Sequence, residues 1–109
     1  MPNESLFFVV HTGKLWRSKS VCKTQYGKVD VGRQPTLKGC MRKCLELEPA
    51  AFLFNYERMY ACKAEGCQCL CYNMPGVDGG CQTTKKNAFQ LYKIVFKGIR
   101  AYVVRPTKN

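Results

Sequence analysis

The sequence predicts an α+β fold in which one helix is tied by disulfide bonds to β-strands. Segment 37–48 repeats apolar residues at three- and four-residue spacing, which is typical of the buried face of an amphipathic helix. Segments 50–56 and 67–72 show the period of two that indicates strands. Six of the eight cysteines lie between Thr36 and Tyr72, and an even count at this density favours a disulfide framework formed in an oxidising compartment.

The helix carries its own start and stop signals. Thr36 is the predicted N-cap, because its hydroxyl can accept a hydrogen bond from a backbone N–H of the first turn. Pro49 is expected to end the helix. Cys40 and Cys44 are four residues apart and project side by side from one face, which is poor geometry for a bond between them. Each is therefore expected to bond to a cysteine beneath the helix.

The two strand segments supply the surface beneath it. In segment 67–72, Cys67, Cys69 and Cys71 share one face. Neighbours two apart in a strand lie near or beyond the Cα separation of about 7 Å that a disulfide spans, so these cysteines are also expected to bond elsewhere. Disulfide bonds are therefore expected between the helix, which presents two thiols, and the strand, which presents three. Eight cysteines allow roughly a hundred pairings, and the connectivity stays open.

Four short motifs form a larger pattern. They are Gly39-Cys40-x3-Cys44, Ala51-Phe52-Leu53-Phe54-Asn55, Cys67-x-Cys69-x-Cys71-Tyr72 and Phe89-Gln90-Leu91-Tyr92-Lys93-Ile94. Together they resemble a PAN/apple domain over roughly residues 20–94. The resemblance implies one α-helix packed on a twisted antiparallel β-sheet of about five strands, with disulfides from the helix to the central strand. It also implies a role in adhesion or recognition.

The chain departs from that pattern at one position. The family often carries a cysteine just before the Phe52 strand, where this chain has Pro49. The usual partner of the second helix cysteine, Cys44, is then missing. The resemblance therefore implies that Cys62 or Cys67 replaces it.

Local composition predicts the remaining segments. Strands are expected at 6–10, 15–16, 88–96 and 99–104, with turns at 11–14 and at Lys97-Gly98, the latter making a hairpin of the last two strands. Residues 22–34, 58–66 and 73–80 are predicted connections or loops. A single domain is expected over 1–109, with its core at about 20–96 and an extra C-terminal strand at 99–104. No run reaches the length of a membrane span, and the first residues do not form a signal peptide, so a secreted protein would have lost its signal from this numbering.

Charge is the strongest functional signal in the sequence. The formal net charge is +11, with nine basic residues and one acid between Lys14 and Lys43, and seven basic residues and no acid between Gly79 and Asn109. In the apple architecture the first and last strands are close together. The resemblance therefore implies that the basic ends meet in one surface, which would concentrate a polyanion. The other interpretation is a solvated basic surface that maintains solubility.

The predicted ligand-binding residues are basic or aromatic. They are Lys14, Trp16, Arg17, Lys19, Lys85, Lys86, Lys93, Lys97 and Arg100. Trp16 could stack on a sugar or base, or could be a residue at the core edge. The predicted disulfide cysteines are Cys22, Cys40, Cys44, Cys62, Cys67, Cys69, Cys71 and Cys81. The phenylalanines Phe7, Phe8, Phe52, Phe54, Phe89 and Phe96 are predicted core residues.

Nothing in the sequence assembles a catalytic site. His11 is the only histidine, the acids are scattered, and a cysteine nucleophile needs a free thiol. We expect no catalytic residue, no cofactor and no metal. A zinc–thiolate cluster at Cys67, Cys69 and Cys71 is the alternative, although structural zinc sites prefer wider cysteine spacing.

Three hypotheses about function follow. The first is a secreted, non-enzymatic binding module that recognises a protein or carbohydrate, with a basic surface for anionic partners such as heparin. The second is a cationic host-defence or toxin-like protein that acts on anionic membranes. The third, and weakest, is a reduced metal-binding protein that contacts nucleic acid.

Overall fold

The structure is a computed structural model that describes residues 4–23, 27–72 and 81–104, with side chains described for 8–23, 27–72 and 81–101. It contains seven strands and an α-helix within these residues. In chain order they are β1 (Glu4–Arg17), β2 (Ser20–Cys22), β3 (Lys28–Gln34), α1 (Leu37–Leu47), β4 (Leu53–Glu57), β5 (Cys67–Tyr72), β6 (Thr83–Lys85) and β7 (Phe89–Val104). A short 3-10 helix spans Met59–Ala61.

The main sheet has five strands in the order β1-β7-β4-β5-β3, and every neighbouring pair is antiparallel. Helix α1 packs on one side of it, and its packing confirms the predicted α+β class. Thr36 caps α1 by accepting from the backbone N–H of Gly39 at 2.9 Å, as predicted. The core on this side, which we call the helix side, contains Met41, Phe54 and Ile94.

Two disulfides bind α1 to the strand beneath it. Cys40 bonds to Cys69 and Cys44 bonds to Cys71, and all four residues are buried. The prediction that both helix cysteines bond downward is confirmed. The expectation that Cys62 or Cys67 would serve Cys44 is wrong, because Cys62 and Cys67 bond to each other and close a short loop.

The opposite side of the main sheet carries a second layer that the sequence did not predict. Strands β2 and β6 pair into a two-stranded small sheet, and the Cys22–Cys81 disulfide lies beside them. Leu53, Leu91 and Tyr72 form the core on this small-sheet side. Central strand β4 is buried along its whole length because both of its faces are covered. The connection predicted at 22–34 is therefore wrong in part, since it contains the end of β2 and all of β3.

Two predicted turns are also wrong, because the long strands run straight through them. Residues 11–14 belong to β1, which pairs with β7 from Glu4 to Arg17. Lys97 and Gly98 belong to β7, and residues 99–104 continue it instead of folding back as a hairpin partner. The register shifts between Val10 and His11, so Lys97 is the extra residue of a β-bulge. Gly98 follows at φ +133°, a conformation that glycine adopts easily.

The phenylalanine prediction is correct for part of the set. Phe54 and Phe89 are buried, whereas Phe8, Phe52 and Phe96 are exposed. Phe8 and Phe96 lie on the part of the β1–β7 ladder that extends beyond β4, which explains their exposure. The side chain of Phe7 and the loop predicted at 73–80 lie outside the described residues.

A hydrogen-bond network connects the two layers through Asn55 of β4. The Asn55 amide donates to the carbonyls of Ser20 and Gln90, each at 2.9 Å, and its Oδ1 accepts from the Tyr72 hydroxyl. The Tyr72 hydroxyl in turn accepts from the backbone N–H of Cys22 at 2.8 Å. Buried polar groups at the junction of the sheets are thus satisfied, and the small sheet is held in one position over β4.

Alkaline pH is expected to weaken the fold through Tyr72. Burial raises the pKa of Tyr72 to about 12, from 10.0. A folded-state pKa above the unfolded value means that the folded chain holds the proton more tightly, so this contribution is complete below about pH 10 and is lost as the pH rises towards 12. We expect the free energy of unfolding to fall by roughly 2 kcal/mol across this range. Urea unfolding at several alkaline pH values checks this, and Tyr72→Phe should show a smaller pH dependence.

Candidate anion-binding site

Trp16 contacts two cations of the described part of the chain. It is the penultimate residue of β1, and its half-buried indole packs against the core of the small-sheet side. The Nζ of Lys93 is 5.2 Å from the centroid of the indole ring, and the Cζ of Arg17 is 4.4 Å from it. Both distances suit cation–π contacts, which are worth about 0.5–1 kcal/mol at exposed positions. Trp16 is therefore a core-edge residue that also positions two cations.

Lys14 completes this group. Lys14 and Lys93 are direct register partners on β1 and β7, so their side chains start from adjacent positions on one face of the sheet. Like charges directly opposite each other destabilise a strand pair. We call Lys14, Trp16, Arg17 and Lys93 the Trp16 group.

The chain supplies no counter-charge to this group within the described residues. The two ion pairs there are Arg33–Glu57, at 2.8 Å, and Lys43–Glu46, at 3.8 Å, and both are elsewhere. The cations of the Trp16 group thus have no carboxylate within 4.0 Å in the described part of the chain. A bound anion between Lys14 and Lys93 would relieve the repulsion between them.

A second group of cations surrounds the turn between β1 and β2. Lys19 adopts φ +52° in this turn, and its carbonyl accepts from the backbone N–H of Lys86 at 2.8 Å. Lys85 precedes Lys86 and pairs with Ser20 across the small sheet. The Lys19 backbone N–H donates to Gln90 Oε1 at 2.8 Å, which fixes the turn against β7.

Lys28 of β3 lies near this second group, although it is not among the ligand-binding residues predicted from the sequence. Burial, and next the positive charge of Lys86, lower the pKa of Lys28. The two lysines are far apart in the sequence, and no local motif links them. This effect depends on the tertiary structure, which brings the two charges close enough to interact.

The other two predicted cations lie apart from Trp16. Lys97 is the bulge residue of β7, and Arg100 pairs with Phe8 on β1. At about 3.3 Å per residue, Arg100 is on the order of 20 Å along β7 from Lys93. The nine predicted binding residues therefore form three groups along the β1–β7 ladder and the small sheet.

The structure also forms a hollow lined by tyrosines that the sequence did not indicate. Tyr56, Tyr60 and Tyr92 border it together with Glu57 and Met59, and its volume is about 480 Å³. Burial raises the pKa of both Tyr56 and Tyr92. Residues 58–66 were predicted as a loop; the segment contains the short 3-10 helix Met59–Ala61, and a disulfide from Cys62 to Cys67 of β5 closes it beside the hollow.

The sulfur atoms beneath α1 are close enough together to suggest a metal site. The Sγ atoms of Cys40, Cys44 and Cys69 lie within 4.8 Å of one another. All eight cysteines are in disulfides, however, so these sulfurs offer no thiolate in this structure. His11 lies elsewhere, with its ring edge-on to Phe96 at a centroid distance of 6.1 Å.

The fold and its four bridges define a disulfide-rich α+β protein, and several disulfides are typical of extracellular proteins. No family model, no curated protein and no solved structure matches the chain. Among the described residues, no helix has the length and apolar character that crossing a membrane requires.

Proposed function

We propose that this protein is a secreted, non-enzymatic binding module that recognises an acidic glycan through the Trp16 group. The proposal rests mainly on one observation, the direct register pairing of Lys14 with Lys93 and the absence of any nearby carboxylate in the described residues. A sulfate or carboxylate group would supply the missing counter-charge. The resemblance of the four sequence motifs to a PAN/apple domain is consistent with a recognition role.

The arrangement of the site favours a glycan chain over a single small anion. The two groups of cations are adjacent, because Arg17 is followed two residues later by Lys19 in the next turn. Lys85 and Lys86 lie beside that turn. A polymer with regularly spaced acidic groups can contact both groups at once, so that weak contacts add along its length. The exposed edge of Trp16 offers apolar surface for a sugar ring between the charges.

Replacing Lys14 and Lys93 together with glutamine is expected to reduce the affinity for heparin about tenfold, since exposed ion pairs contribute up to about 1 kcal/mol each. Titration calorimetry with heparin, with neutral dextran as the blank, measures the change. The matched control is Lys43→Gln with Lys63→Gln, which removes the same charge from exposed positions on α1 and on the Cys62–Cys67 loop.

The control should retain affinity within about twofold, because charges far from the ligand are screened by salt. Equal loss in the two double variants would mean that heparin responds to net charge alone. Unchanged binding by the Lys14 and Lys93 variant would remove the Trp16 group as the site.

A further inference from the structure

The outer part of the β1–β7 ladder is a two-stranded ribbon. Strand β4 pairs with β7 from Phe89 to Lys93, and a hydrogen bond from Ile94 to the carbonyl of Phe52 adds one further contact. From Val95 onward, β1 is the only strand paired with β7 in the described part of the chain. Two-stranded ribbons are marginal on their own in water, so this segment benefits from an additional surface that covers it.

One side of this ribbon exposes large apolar side chains. The exposed fractions are 58% for Val9, 59% for Phe96 and 64% for Ile99. Val9 pairs with Ile99, and Phe96 pairs with His11. Val9 and His11 both line a hollow with Met41 of α1, so all three apolar residues lie on the helix side. We call Val9, Phe96 and Ile99 the ribbon patch.

Cations on α1 and at the bulge adjoin the ribbon patch. Lys97 is the bulge residue that follows Phe96, whereas Arg100, which pairs with Phe8, lies on the face of the ribbon opposite to Ile99. Lys38 and Arg42 of α1 line the hollow of about 400 Å³ beside Val9, and Glu46 is the one acid among the described residues that line it. Neither residues 8–17 nor residues 89–101 contain an aspartate or a glutamate. Exposed apolar side chains next to lysine and arginine are typical of surfaces that enter a bilayer interface, where the long cationic side chains reach the phosphates.

We propose that the ribbon patch docks on an anionic phospholipid bilayer. Val9, Phe96 and Ile99 enter the boundary between headgroups and acyl chains, and Lys38 and Arg42 of α1, with Lys97 at the bulge, bind lipid phosphates. A second copy of the chain fits this surface poorly, because each copy has a formal net charge of +11 and their basic ribbons would repel each other. The Trp16 group is on the small-sheet side, so glycan binding and bilayer docking can be tested independently of each other.

Vesicle sedimentation tests the surface. Wild-type protein should bind vesicles of equal parts phosphatidylserine and phosphatidylcholine, and should bind phosphatidylcholine vesicles at least about tenfold more weakly. Val9→Ser with Ile99→Ser should reduce binding to the anionic vesicles by about tenfold or more, because burial of an aliphatic side chain changes a partition constant by at least one decade. The matched control is Met59→Ser with Tyr60→Ser, since these side chains are 89% and 67% exposed away from the ribbon.

Fluorescence shows which residue enters the lipid. Trp16 is the only tryptophan, so Trp16→Phe gives a protein without tryptophan fluorescence. In that variant, Ile99→Trp should be quenched by brominated phospholipid in anionic vesicles, whereas Tyr60→Trp should not. Heparin affinity of the Val9 and Ile99 serine variant should stay at the wild-type value, which separates this test from that of the glycan proposal.

Three outcomes would overturn the proposal. One is unchanged vesicle binding by the Val9 and Ile99 serine variant. Another is equal quenching at positions 60 and 99, which would indicate adsorption by charge without a defined face. The third is a concentration-dependent dimer in sedimentation velocity that Ile99→Ser dissociates, since a second copy would then cover the ribbon patch.

Discussion

Removing the Cys40–Cys69 disulfide with a double alanine substitution is expected to lower the free energy of unfolding by about 3.5 kcal/mol. The bridge joins residues separated by 29 positions, so it restricts a long loop in the unfolded chain. It also lies fully buried between α1 and β5, where alanine leaves part of the sulfur volume empty. Urea unfolding under non-reducing conditions measures the loss.

The Cys62–Cys67 bridge provides the matched control for this result. It spans a separation of 5 residues at the edge of the fold, and its two cysteines are half-buried. The same loop-entropy argument assigns it about 2 kcal/mol, so its double alanine variant should stay measurably more stable than the Cys40 and Cys69 variant. Equal stability of the two variants would show that loop length and burial do not determine the contribution of the helix bridge.

Asn55→Ala is expected to destabilise the protein by about 3 kcal/mol, because it leaves several buried polar groups without partners. The carbonyls of Ser20 and Gln90 lose the amide donor, and the Tyr72 hydroxyl loses its acceptor. The substitution acts at the junction between the main sheet and the small sheet. We therefore expect the small sheet to loosen first, with faster amide hydrogen exchange at Val21 and Thr84, which pair across it.

Gln68→Ala is the control for Asn55→Ala. Gln68 also bears a side-chain amide on a strand of the main sheet, but its bond to Asp30, at 2.7 Å, is exposed to solvent. Water can replace that partner, so a loss below about 0.5 kcal/mol is expected. If Asn55→Ala cost no more than this control in thermal unfolding, the Asn55 network would not hold the two layers together.

The helix and the direction of its disulfide bonds could be predicted because their signals are local. The cap at Thr36, the stop at Pro49 and the apolar spacing each act on a few neighbouring residues, and the helix begins and ends close to the predicted positions. The downward direction of Cys40 and Cys44 follows from the same helical geometry. The partner of each cysteine needed the position of β5 under α1, which local spacing does not contain.

The long strands show how a tertiary partner overrides a local turn signal. Taken alone, the dipeptide Lys97-Gly98 predicts a turn. In the structure β1 pairs with β7 on both sides of it, and the glycine is accommodated next to a bulge. The small sheet was missed for a different reason. Strands of three residues, such as β2 and β6, are too short to show a period of two.

The charge content, the disulfide framework and the amphipathic helix are thus properties of the sequence itself, since each depends on composition or on neighbours within one or two turns. The site is not. Lys14 and Lys93 become neighbours through the register between the first and last strands, and Trp16 receives its second cation by the same pairing. Register depends on side-chain packing summed over the whole β1–β7 ladder, so distant segments had to pair before their charges could form one surface.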